Sequence, residues 1–203
     1  MYKRQQRSVQ ELGQLLRHHE SLPLYPDDQP LLTHATLKIV ESVPAEEQYQ
    51  KALPVYDLAV AAGAFSASQS PEPIGWAHVQ AKQEPFDRRM FVARVLGESM
   101  EPGVPDGSWA IFRAFPAGTA PPPTALDGRR VIVELRDEED PDTGGRYTFK
   151  RWYVTRLSPE GHVEEVELRP DNRDFKARKL RAEDGEMRVV AEPVSYTHLP
   201  RGG

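Results

Sequence analysis

The 203-residue sequence contains no cysteine. Disulfide scaffolds, thiol nucleophiles and cysteine-ligated zinc are therefore excluded, and the absence fits a reducing, cytoplasmic location. No run approaches the roughly 18–20 apolar residues that a membrane-spanning helix needs. The stretch after Met1, Tyr2, Lys3 and Arg4 lacks the apolar core of a secretory signal. Basic charge is also short, with 26 Lys and Arg against 31 Asp and Glu and a net charge of -5. Such a chain carries no global electrostatic footprint for nucleic acid. The first 50 residues hold five Lys or Arg against seven Asp or Glu and show no basic recognition helix, so DNA binding is not expected of this chain. His18 and His19 are adjacent, and adjacent helical residues do not share a face. The acidic run Asp137–Asp142 reads as a solvated loop. No metal or cofactor is expected.

What is present divides the chain in three. In residues 1–20, Val9, Leu12, Leu15 and Leu16 recur at helical spacing. Leu22–Pro30 is a proline-rich loop, and Leu31–Val43, closed by Pro44, reads as a second short helix. From Leu53 the texture changes to short β-branched and aromatic runs between turn signals. These are Pro54–Leu58, Met90–Leu96, Ser108–Phe112, Arg130–Leu135, Tyr147–Val154, Val163–Leu168 and Met187–Val190. They predict a mostly β domain of about seven to nine strands. Phe115–Gly128 and Asp137–Gly145 read as long loops. Met1–Gln5 and Ser195–Arg201 resemble adapter-derived peptides. The expected division is a helical extension over 1–52, a β domain over 53–194 and a non-native tail over 195–203.

The feature that carries chemistry is Val95-Leu-Gly97-Glu-Ser99-Met-Glu-Pro102, followed by Pro105-Asp-Gly107. A strand runs into a glycine, where the backbone can approach a substrate closely. Ser99 follows, and backbone N–H groups beside it can face a developing oxyanion. A serine hydroxyl needs a base, and none of the six histidines offers an evident partner. Lys150 is the better candidate. Strand alternation puts it on one face with Thr148, Trp152 and Val154, and desolvation there favours the neutral amine. Thr148 is expected to hydrogen-bond that amine. Asp171 and Asn172 read as a turn.

Gly97-Glu-Ser99-Met-Glu-Pro102, Pro105-Asp-Gly107, Phe149-Lys150-Arg151 and Leu168-Arg-Pro-Asp-Asn172-Arg-Asp-Phe175 occur in an order that resembles the LexA-like (S24) serine peptidases. The resemblance spans about residues 53–194 and implies a LexA-like β fold. It implies Ser99 as nucleophile and Lys150 as general base, with an oxyanion hole formed by the backbone N–H of Ser99 and that of Glu98 or Gly97. It implies a homodimer. It also implies a substrate within the chain, since such proteins cut themselves at an Ala-Gly or Cys-Gly bond. Ala62-Gly63 lies 36 residues before Ser99 (99 − 63).

The leading expectation is a self-cleaving switch in a stress, phage or DNA-damage response, with Ala62-Gly63 as the cleaved bond. The alternative is a catalytically silent dimerisation or regulatory module appended to a DNA-processing protein such as a helicase. A signal-peptidase relative is disfavoured by the lack of a membrane anchor.

Overall fold

The computed structural model describes residues 36–58, 72–80, 86–116, 118–136, 139, 146–182 and 187–197. The helix expected over residues 1–20 and the Ala62-Gly63 bond lie outside them.

Among the described residues, ten strands form one mixed sheet. They are β1 (Thr36–Val40), β2 (Ala52–Val55), β3 (Gly75–Gln80), β4 (Met90–Arg94) and β5 (Trp109–Ala114), then β6 (Arg130–Leu135), β7 (Tyr147–Leu157), β8 (Val163–Arg169), β9 (Arg178–Arg181) and β10 (Met187–Thr197). Their order across the sheet is β1-β3-β2-β4-β5-β10-β6-β7-β8-β9. All pairings are antiparallel except that of β2 with β4, which meet at Val55 and Val92.

Alternation along the central strands sorts apolar side chains onto three clusters. In β5, Ala110, Phe112 and Ala114 face one cluster while Ile111 faces another. In β6, Val131, Val133 and Leu135 face a third, and Ile132 faces the first. Because both faces of these strands are buried, they read as near-continuous apolar runs. Phe91 stacks on Phe112 with ring centroids 5.6 Å apart, and Phe149 meets Phe112 edge-on at the same separation. Burying each such ring stabilises the fold by about 1.5–3 kcal/mol. In β10 the register shifts between Val189 and Ala191. Val189 faces the third cluster, while Val190 and Ala191 both turn to the first, as a bulge allows.

Three expectations change. Leu31–Val43 is not a helix where it is described, because Thr36–Val40 is a strand paired with β3. Its Thr, Ile and Val are β formers, and Leu37 is buried while Lys38 is exposed. The sheet therefore begins before residue 53. At the other end, β10 continues past Val194, and Ser195, Tyr196 and Thr197 pair with Ile111, Ala110 and Trp109. The boundary at 195 falls inside a strand. From Ala52 onward β2–β10 make nine strands, within the seven to nine expected, with β3 and β9 added to the seven runs legible in the sequence. The proline-rich connection of β5 to β6 holds one short 3-10 turn, Pro123–Leu126. No helix among the described residues is long and apolar enough to cross a membrane.

Candidate active site

The segment between β4 and β5 carries Ser99. Gly97 has φ 92 and Gly107 has φ 75, a region where a side chain is strained. These two glycines let the chain leave β4, fold into a compact loop and return as β5. Asp106 fastens the loop internally, since Gly97 N–H donates to its Oδ1 at 2.8 Å. Glu101 Oε1 in turn accepts from Asp106 N–H at 3.1 Å. Met100 and Val104 are each 1% exposed and root the loop in the first apolar cluster.

Lys150 comes from the middle of β7, opposite Val131 of β6. Its Nζ donates a 2.7 Å hydrogen bond to Ser99 Oγ. Both residues are buried, at 7% and 6% exposure. The fold thus brings the serine and the lysine into direct contact inside an apolar setting. With the amine neutral, the same geometry lets its lone pair accept the serine proton.

Thr148 does not make the expected bond. Its Oγ1 is buried with no hydrogen-bond partner among the described residues. Thr148 sits opposite Val133, among apolar neighbours, and the longer Lys150 side chain reaches the serine loop instead. The N–H of Gly97 is committed to Asp106 and drops out as an oxyanion donor. Those of Glu98 and Ser99 donate to no protein acceptor among the described residues.

Two groups that read only as turn residues are built into the site. Asn172 N–H donates to Ser99 O at 3.0 Å, and its Nδ2 donates to Glu98 O at 3.1 Å. Asp171, 7% exposed, accepts from Arg130 Nε at 2.8 Å and from Arg151 Nε at 2.6 Å. Arg130 and Arg151 face each other across β6 and β7. The serine loop packs on this cluster at Gly103, where a Cβ would lie 2.5 Å from both Arg130 Nη2 and Asp171 Oδ2. The signal that could have exposed these roles was a lone Asp placed to meet two arginines, one of them next to Lys150. Only the fold makes them neighbours.

A serine hydroxyl in contact with a buried amine, at a loop between two paired strands, is an arrangement able to support nucleophilic chemistry. A family model described as Peptidase S24-like matches residues 54–194, and the chain belongs to that family. No curated protein matches the chain.

Proposed function

We propose that the chain is a self-cleaving serine peptidase that cuts its own Ala62-Gly63 bond with Ser99 as nucleophile and Lys150 as base. The observation that carries this reading is the 2.7 Å contact between two buried side chains from separate elements. A surface lysine has no reason to be drawn to a hydroxyl in this way, since desolvating an amine is costly.

Chain geometry supports cleavage in cis. Val55 pairs in parallel with Val92, and Tyr56 N–H donates to Val92 O at 2.9 Å. Counted from that pair, Ala62 is seven residues along its segment (62 − 55) and Ser99 is seven along the other (99 − 92). Leu58 packs on the cluster that holds Val95, Met100 and Val104. Cleavage within one chain gains from high effective concentration.

In the proposed reaction, Ser99 Oγ attacks the Ala62 carbonyl carbon as the neutral amine of Lys150 takes its proton. The N–H groups of Ser99 and Glu98 receive the charge that develops on the carbonyl oxygen. The C–N bond then breaks, and Lys150 gives its proton to the departing amine of Gly63. Water, deprotonated by Lys150, hydrolyses the Ser99 ester and restores the serine. Release of the upstream segment would make the domain a one-way regulatory switch.

Mass spectrometry of the full chain after alkaline incubation tests the reading. Fragments split between Ala62 and Gly63 are expected, absent from Ser99→Ala and Lys150→Ala. An intact mass in the wild-type chain, or fragments that survive Ser99→Ala, would overturn self-cleavage and leave a silent dimerisation module.

A further inference from the structure

All four polar groups of Asn172 are engaged. Besides its two bonds to the serine loop, its Oδ1 accepts from Asp174 N–H at 3.0 Å and its carbonyl accepts from Phe175 N–H at 3.2 Å. The side chain is therefore held in one orientation. The preceding Asp171 is fixed between two arginines, Arg130 and Arg151, so Asn172 stands on a rigid base.

What Asn172 holds is the orientation of two peptide groups. In a planar trans peptide the carbonyl and the N–H point in opposite directions. Holding Glu98 O toward Asn172 turns Ser99 N–H away from it. Holding Ser99 O does the same for Met100 N–H. Asp106 fixes the Leu96–Gly97 peptide, two before the Glu98–Ser99 peptide, through Gly97 N–H. Glu98 O also accepts from Glu101 N–H at 3.1 Å, so without Asn172 the Glu98–Ser99 peptide would keep only that bond within the serine loop among the described residues. A peptide that can rotate offers a poor oxyanion donor, because catalysis by such donors depends on their being aligned beforehand.

We infer that Asn172 is a positioning residue, acting through the Ser99 backbone to keep that N–H aimed as an oxyanion donor. This rests on the peptidase reading, which assigns the donor its task. Asn172→Asp is nearly isosteric. It keeps an oxygen for Asp174 N–H but sets a carboxylate oxygen against the Glu98 carbonyl.

The test compares the wild-type full chain with Asn172→Asp and Asn172→Ala in phosphonylation of Ser99 by a fluorophosphonate, in which Oγ displaces fluoride at phosphorus, together with amide hydrogen exchange. The limiting phosphonylation rate is expected to fall about 10- to 100-fold in both variants. The half-saturating probe concentration and the thermal midpoint should stay close to wild type, which a merely structural loss would not allow. Exchange over residues 98–103 should quicken. An unchanged limiting rate in Asn172→Asp, or unchanged exchange, overturns the inference. If the wild-type chain neither labels nor cleaves itself, the peptidase reading fails, and the exchange measurement alone decides whether Asn172 holds the loop.

Discussion

Lys150 and Ser99 are 51 residues apart in the chain, yet the lysine amine and the serine hydroxyl lie 2.7 Å apart. The two long loops between them leave at the ends of β5 and β6, so their length does not enter the contact. Loops attached at strand ends can lengthen without moving the strands they join.

The base role predicts a specific outcome for Lys150→Arg. A guanidinium keeps the charge and the donors but does not lose a proton in a protein. If Lys150 acts as base, the arginine variant should cleave at least about 100-fold more slowly. Fragment formation followed by gel densitometry checks this. An arginine variant that cleaves at the wild-type rate would remove Lys150 from the chemistry.

Asp171 predicts a stability effect. Its carboxylate lies between two guanidiniums, and the side chains of Arg130, Arg151 and Asp171 are only 6–7% exposed. Removing one partner of a buried ion pair costs about 3–5 kcal/mol, since the charges left behind remain desolvated. Asp171→Ala should lose stability on that scale in urea unfolding. An exposed pair such as Arg156 with Glu164 should contribute under about 1 kcal/mol. A loss for Asp171→Ala as small as that of Glu164→Ala would refute the argument.

Gly103 tests how closely the serine loop lies on that cluster. A methyl group there would meet Arg130 Nη2 and Asp171 Oδ2 at 2.5 Å. Neither atom can retreat without opening the ion pair. Gly103→Ala should therefore cost about 1–3 kcal/mol, the usual range for overpacking, and should slow self-cleavage by displacing Ser99. Thermal melts and fragment formation are the measurements. At Gly118, where added Cβ meets nothing within 4 Å but φ is 77, alanine should carry backbone strain alone and leave cleavage unchanged.

Much of this was legible in the sequence, for physical reasons that differ by element. Arg130–Leu135 is apolar enough to be read as a strand to its exact observed limits. β9 is not, because Arg178, Lys179 and Arg181 flank a single buried Leu180, and its place is set by pairing with β8. β1 reads as helix in the sequence because a short apolar run has no decisive period. Its partner β3 lies 35 residues or more further along the chain. Ser99 and Lys150 stood out by residue type and neighbourhood. Asn172 did not, because its role is to hold two carbonyls 73 and 74 residues upstream (172 − 99 and 172 − 98), and nothing local marks such a partner.

The tyrosines set an upper limit on the alkaline range in which cleavage can be followed. Burial, followed by the nearby Tyr49 hydroxyl, pushes Tyr56 up from 10.0 to about 12. Burial also raises Tyr49, Tyr147 and Tyr153. In the unfolded chain these phenols ionise near pH 10. Between about pH 10 and 12, the folded state keeps a Tyr56 proton that the unfolded state has lost. By linkage, that contribution to stability is complete below pH 10 and disappears as pH rises through the folded value. Cleavage should therefore collapse at high pH as the fold gives way, with circular dichroism reporting the collapse. Tyr56→Phe removes one ionisation and should flatten the decline of the urea midpoint between pH 10 and 12. An equally steep decline in Tyr56→Phe would mean that other groups govern the alkaline limit.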